Sequence, residues 1–418
     1  MSKIRKKRLC FLTRYGLSTT PYGELVLPAL ARDGWDITIF GPHATSSILQ
    51  RVLPYKCVNY DLDHDGGFGH FHRELSLLKT LMYSRFGKFD VIYIHSQSLS
   101  ARAALTFIGP KRGKRLVYHE PDFYDPIDYP IYTRLEKAFC RKVDLYLNNE
   151  FHRAYITQSY YGIKCPICIA PPNLPSYWPI PAYSNNLRNR MCDGKSGQFV
   201  LMLDTSFGEK RMVPQLFEAL AILPPHFRLV MGGAAHRKDD VDTLLKGLKI
   251  ENRVLRLPRV DLLRLLEHTV NADAGVLLCQ NNDLGNFFTA PGKLTEYLIS
   301  GLPVLATGHT GLENLVLRYG LGESVDATRP EKIAEGILRL ERGIREGRYR
   351  RESLRHRFLE SFAFDHWEPT IAEAFDNLFC SENKQKFSRP HFPWLPDSNS
   401  SPQISADERQ EGVDCGRA

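Results

Sequence analysis

Residues 289–306, TAPGKLTEYLISGLPVLA, read as a helix stopped by a glycine and running on into a strand. Pro291 suits a first helical turn, Leu294, Tyr297 and Leu298 fall on one apolar face, and Gly301 supplies the stop. Pro303 to Ala306 is then a short apolar β-rich run. A helix that feeds straight into such a strand is the repeating unit of a parallel sheet flanked by helices. Two residues of the stretch do not belong to that scaffold. Lys293 and Glu296 lie three apart on one side of the helix, next to the Asn-rich loop CQNNDLGNFFTAPG at a strand's carboxyl end. There a lysine can meet phosphate and a carboxylate can accept hydrogen bonds from ribose hydroxyls; a surface ion pair is the plain alternative.

The same alternation extends in both directions. Strands are predicted in the first half at 9–13, 36–40, 90–95, 115–119 and 144–148, with a helix within PYGELVLPALARD stopped by Gly34. After Pro171-Pro172-Asn173, the stretch PSYWPIPAYSNNLRNRMCDGKSGQ has little apolar period and reads as a linker. Strands then recur at 199–203, 227–232, 253–257, 274–279 and 303–306, between helices such as 214–222 and 241–248. KIAEGILRLER and WEPTIAEAFDNLF are amphipathic helices. The expectation is a first α/β domain over 1–180, a linker over 181–197 and a second domain over 198–365. A helix at 366–380 is expected to return to the first domain, and the polar, proline-containing segment 381–418 to be disordered.

A chain of 418 residues exceeds what one hydrophobic core usually serves, in keeping with two domains. With 43% hydrophobic and 24% charged residues it has the composition of a globular protein. No apolar run approaches the roughly 18–20 residues that cross a bilayer. The start, MSKIRKKRLCFLTR, has only Leu9 to Leu12 as an apolar segment, too short for a signal-peptide core, so a cytoplasmic protein is expected. The net charge of +8 peaks in Lys3, Arg5, Lys6, Lys7 and Arg8, which form either a solvated arm or a contact for an anionic membrane surface. No nucleic-acid partner is assigned. Nine irregularly spaced cysteines argue for reduced thiols, and the lone Cys165-Pro-Ile-Cys168 for structural thiols rather than a metal site.

In open parallel sheets ligands bind beyond the carboxyl ends of the strands, which singles out three further loops. In TRYGLSTT, residues 13–20, Gly16 permits a tight turn, and Ser18 can cap a helix or touch a ligand. In VYHEPDFYD, residues 117–125, His119, Glu120 and Asp122 would open onto a cleft, with His95 alongside if the two strands are neighbours. In DTSFGEKR, residues 204–211, Gly208, Lys210 and Arg211 suit a phosphate group at a helix entrance, although the loop matches no strict P-loop.

Taken together, TAPGKLTEYLISGLPVLATGHTGLENLV resembles the donor-binding segment of GT-B glycosyltransferases of family 4, also called group 1. Lys293, Glu296, Gly301, Pro303 and Glu313 fall on the family's PxKxxEYLAxGxPVVAT and Gly-x-x-Glu positions. PYGELVLPALARDGWDITIF, RLVYHEPDFYD, VDLYLNNEFHRA and FGEKRMVPQLFEAL look like other family segments, so the resemblance spans roughly residues 8 to 380. It implies two facing Rossmann-like doubly wound domains with a nucleotide-sugar site in the cleft between them. It also implies transfer of a sugar from a nucleotide-sugar donor, with retention of configuration and with neither metal nor further cofactor.

On this reading Lys210, Arg211, Gly208, Thr289, Gly292, Lys293 and Glu296 bind the donor, and His119, Glu120 and Asp122 are catalytic candidates. Gly16, Ser18 and His95 lie on the acceptor side. The chain departs from the family pattern twice: Phe288 stands where the first of two paired glutamates is usual, and Thr205 where an arginine is. The leading expectation is a polysaccharide- or glycoconjugate-building enzyme, cytoplasmic or peripheral at the inner membrane face, acting on a saccharide or lipid-linked acceptor. The alternative is a non-catalytic, nucleotide-binding or assembly subunit of the same fold.

Overall fold

The computed structural model describes residues 7–13, 25–41, 56–59, 87–95, 113–121, 123, 130–205, 211–232, 238–258, 260–282, 284–289 and 292–380. Its strands form two parallel sheets. The first contains β1 (Arg8–Thr13), β2 (Asp36–Gly41), β3 (Lys56–Asn59), β4 (Val91–His95), β5 (Arg115–His119), β6 (Leu145–Asn148) and β7 (Ile167–Ile169), in the order β3-β2-β1-β4-β5-β6-β7. The second contains β8 (Phe199–Asp204), β9 (Phe227–Gly232), β10 (Val254–Arg256), β11 (Ala274–Leu277), β12 (Val304–Thr307) and β13 (Gly322–Val325), in the order β10-β9-β8-β11-β12-β13. Both sheets grow outward from their first strand and then reverse, the doubly wound arrangement with a crevice between the first and fourth strands.

Burial on both faces explains the strand sequences. Leu9, Cys10, Phe11 and Leu12 are buried, as are Val91 to Ile94 and Leu116 to Tyr118, so these strands are near-continuous apolar runs. The core of the first sheet gathers Cys10, Leu12, Phe40, Ile92, Ile94, Leu116, Tyr118 and Tyr146 with Phe139 and Cys140 from the helix Pro130–Cys140. Three strands lack that signature and escaped the sequence reading. Lys56–Asn59 is short and opens on a charge, Ile167–Ile169 has three residues, and Gly322–Val325 reads GESV. Gly322 is required inside its strand because a Cβ there would lie 1.9 Å from the Val304 carbonyl oxygen.

The stretch read as a linker contains a helix, Asn185–Met191, capped by the Ser184 side chain on Leu187 N–H. Arg188 anchors it to the second sheet by donating to the carbonyls of Asn271 and Gln198 and to Asp273. This polar, half-exposed helix shows its apolar contact only at its end, in Met191, which hides it from a search for apolar period.

Near the carboxyl end of the described chain, the helix Glu368–Asp376 packs on the first sheet's helix Val26–Arg32. Phe375 meets Trp35 edge-on and lies 5.8 Å from the Tyr93 ring, while Arg32 pairs with Glu368 and Lys7 with Asp376. The helix Arg351–Arg357 sends arginines onto the carboxyl ends of other helices. Arg351 reaches the carbonyls of Val270 and Ser300, Arg355 that of Ile299, and Arg357 those of Tyr319 and Gly320. These are carbonyls with no partner inside their own helices, at the ends where helix dipoles favour cations.

Candidate active site between the sheets

The helix Gly292–Ile299 carries both residues singled out in the opening stretch. Its position is set by Tyr297, whose ring lies so close to β11 that a Cβ on Gly275 would be 2.3 Å from Tyr297 Cδ2. The Tyr297 hydroxyl accepts from Asp204 N–H at 3.3 Å, which ties the helix to the end of β8. Lys293 Nζ donates to Asp204 Oδ2 at 2.7 Å and to the Asp204 carbonyl. Room for that carboxylate comes from Gly232 at the end of β9, where a Cβ would stand 3.0 Å from Asp204 Oδ1. Thr295 Oγ1 donates to the Gly292 carbonyl and accepts from Leu174 N–H at 3.1 Å, joining the helix's first turn to the chain that leaves the first sheet.

Glu296 is 2% exposed, and among the described residues its carboxylate has no hydrogen bond or ion pair. Burial alone pushes its carboxyl up to about 8. In the neighbouring turn, Glu313 accepts from Ser324 Oγ at 3.0 Å.

On the first sheet, β4 and β5 pair so that His95 and His119 stand side by side at their carboxyl ends. His119 is fully buried, with Tyr93 Oη 2.8 Å from Nδ1 and Asn149 Oδ1 2.8 Å from Nε2. These partners assign a neutral ring in which Tyr93 donates to Nδ1 and Nε2–H donates to Asn149. Burial lowers its pKa to about 4. His95 stacks on Phe11 and meets His119 edge-on, with ring centroids 4.9 Å apart. Both its nitrogens are shut off from solvent and, among the described residues, without a partner, and burial, then the neighbouring His119, hold its pKa well below the usual value. Glu120 is buried and accepts from the Tyr118 hydroxyl, which also reaches Glu136.

Between the sheets runs a seam built by the helix Phe151–Tyr161, which follows β6. Glu150 caps it by accepting Arg153 N–H at 2.8 Å and also holds His152 Nδ1 at 2.8 Å. The His152 ring stacks on Phe288 at 4.8 Å and 18°. Arg153, 9% exposed, donates to the Pro121 carbonyl beside β5 and to the Gly285 carbonyl after β11. Phe287 completes the apolar seam, edge-on to Phe288 and stacked on His309.

Residues 195–356, which contain the whole second sheet and the Lys293–Glu296 helix, match the family model described as glycosyl transferases group 1. That segment is similar to the group 1 glycosyltransferases. The chain around them carries the GT-B fold. HepE of Anabaena, solved in complex with UDP and glucose, superposes with a TM-score of 0.68 at 18% identity, covering 89% of this chain and 100% of that one. Sucrose-phosphate synthase from Thermosynechococcus elongatus gives 0.71 at 12%, covering 90% and 100%. A glycosyltransferase from Rickettsia africae ESF-5 gives 0.68 at 13%, again covering 90% and 100%. No curated sequence matches the chain significantly.

Within the segment that the family model matches, Lys293 and Glu296 sit on one helix with Gly292 as its first residue, and Thr289 lies half-buried just before it. Arg211 is exposed at the start of the next helical segment, and Thr205 follows the end of β8. Lys210, Gly208, Asp122, Gly16 and Ser18 lie outside the described residues. His95 and His119 come together at the carboxyl ends of β4 and β5, although His119 offers no ring nitrogen that a protein group has not taken; Glu120 turns instead to the Tyr118 hydroxyl. Sequence reasoning missed Asp204, Glu150, His152 and Arg153. Asp204 was visible as a carboxylate ending a strand, and Glu150 as an acidic residue before a helix; their partners are 89 and 2 positions away.

Proposed function

We propose that the protein is a retaining glycosyltransferase that moves a sugar from a nucleotide-sugar donor to a saccharide or lipid-linked acceptor, in polysaccharide or glycoconjugate biosynthesis. The observation that carries this reading is Glu296, a buried carboxylate without a described partner, on the same helix as Lys293 and at the carboxyl end of the second sheet. Two ribose hydroxyls would give that carboxylate the hydrogen bonds it lacks. Lys293, with Lys210 and Arg211, would meet the phosphates. The fold is shared with HepE of Anabaena, which was solved with UDP and glucose and so supports a nucleotide sugar as the donor.

In this mechanism the donor's anomeric carbon–oxygen bond breaks with its electron pair passing to the phosphate oxygen. The acceptor hydroxyl attacks the same face, and its proton passes to the departing phosphate. The protein's part is electrostatic: cations and backbone amides hold the charge that develops on the leaving group. We assign no metal and no cofactor beyond the donor itself. Asp122 is the carboxylate assigned to the sugar's developing positive charge, while Glu120, buried on the Tyr118 hydroxyl, is assigned a supporting role at the strand end. A cytoplasmic site of action, peripheral at the inner membrane face, is part of the proposal. No helix among the described residues is long and apolar enough to cross a membrane.

The decisive experiment screens nucleotide sugars for hydrolysis and transfer, with Glu296→Ala and Lys210→Ala as controls. Each substitution is expected to lower kcat/KM by about 100-fold or more, because each removes a charged or desolvated contact to the donor. Wild-type turnover in both variants would sink the assignment. The Phe288–His152 stack, filling the place of a usual glutamate, favours a second reading as a nucleotide-binding subunit without catalysis. Nucleotide binding with no turnover of any donor would select it.

A further inference from the structure

A departing phosphate is stabilised by every cation that reaches it. Thr205 stands where the resemblance places an arginine, and Lys293 already serves Asp204 through two acceptors. A cation is available across the seam. His152 has Nδ1 held by the Glu150 carboxylate at 2.8 Å and its ring laid on Phe288, so both the direction and the plane of the imidazole are set. Among the described residues its Nε2 has no partner, and the side chain is 47% exposed. Phe288 immediately precedes Thr289 and lies five positions before Lys293. Arg153 fastens the same helix end to the Gly285 carbonyl, so His152 is held against the donor segment.

We propose that His152, oriented by Glu150 and by its stack on Phe288, donates a hydrogen bond from Nε2–H to the phosphate of a nucleoside diphosphate group. The inference rests on the glycosyl-transfer reading and adds to it a contact from the first domain. When the anomeric carbon–oxygen bond breaks, the electron pair goes to the phosphate oxygen and the acceptor's proton follows it. His152 keeps its own proton and stabilises the charge. The hydrogen bond to Glu150 raises the His152 pKa against the opposing effect of burial, which favours the doubly protonated ring that such a contact uses. Among the described residues, the charged and titratable groups around it are Glu150 and Arg153 on its own helix end and, beyond Phe287, His309.

The test is calorimetric titration of the full chain with UDP, GDP, ADP and dTDP and with the matching phosphate-free nucleosides, from about pH 6 to about pH 9. His152→Phe keeps an aromatic ring against Phe288 and removes the donor; His152→Asn is the second variant should the first fold poorly. Both are expected to weaken nucleoside diphosphate binding about tenfold and leave nucleoside binding unchanged, a split that a merely structural role would not produce. Glu150→Gln is expected to move the loss of diphosphate affinity with rising pH to lower pH. Glu296 titrates with the opposite sign and is common to all the variants. Wild-type diphosphate affinity and pH dependence in the His152 variants would overturn this role and leave glycosyl transfer standing. Absence of nucleoside diphosphate binding by the wild-type chain would remove both.

Discussion

Glu296 sets stability against function within one side chain. Its carboxyl is raised from the ordinary 4.5 to about 8, so between those values the native protein holds a proton that the unfolded chain has released. The native state therefore loses stability as pH rises through that window, and the penalty is complete above it. Glu296→Gln removes the titrating group and keeps the shape. Thermal unfolding should show the variant gaining on the wild type from about pH 5 to about pH 8, with an advantage of about 1–3 kcal/mol at the alkaline end. Nucleotide binding should fall in the same variant. If ribose hydroxyls donate to the ionised carboxylate, binding to the wild type below about pH 8 also releases a proton, readable as a dependence of the calorimetric heat on the buffer. Lys293 and Glu296 were legible as charged residues in a scaffold helix. The roles of Asp204, Tyr93 and Asn149 were not, because each is a partner set by strand order rather than by spacing.

At the scale of elements, the helix Gly292–Ile299 is held at both ends. Near its start Lys293 is paired with Asp204, and in its second half Tyr297 fills the space above Gly275, while Ile299 and Ser300 at its end offer carbonyls to Arg355 and Arg351. Gly275→Ala would press a methyl group into the Tyr297 ring. A loss of about 2–3 kcal/mol is expected in denaturant unfolding, together with weaker nucleotide binding as the helix shifts. Arg351→Ala would leave the Val270, Ala272 and Ser300 carbonyls without their guanidinium and should cost about 2–3 kcal/mol. Its nucleotide affinity should change less than that of Gly275→Ala, since it acts at the helix end far from Lys293. Apolar strands such as Val91–His95 and Phe227–Gly232 could be read directly because burial on both faces selects continuous hydrophobic runs. Edge strands and the Asn185–Met191 helix bury less, so their sequences carry less signal.

Across the whole molecule, the last described helix closes back on the first sheet. Phe375 is fully buried between Trp35 and Tyr93, and Tyr93 is the residue that holds His119 Nδ1. Phe375→Ala should cost about 3–5 kcal/mol in denaturant unfolding, and the loosened Tyr93 should raise the His119 pKa from about 4, measurable by its ring resonances in a pH titration. A variant unchanged on both counts would show that this helix does not support the first-sheet site.

The α/β alternation, the two runs of strands and the lysine–glutamate helix at a strand's carboxyl end follow from the amino-acid sequence alone. Those features rest on local periodicity, helix stops and the apolar demand of buried strands. That Asp204 holds Lys293, that Glu296 is left without a partner among the described residues, and that His152 and Phe288 meet across the seam are products of the folded arrangement. The physical reason is the crossover topology. Parallel strands bring together loop ends separated by scores of residues, so the partners of a site residue are chosen by sheet order and packing, quantities that no local pattern encodes.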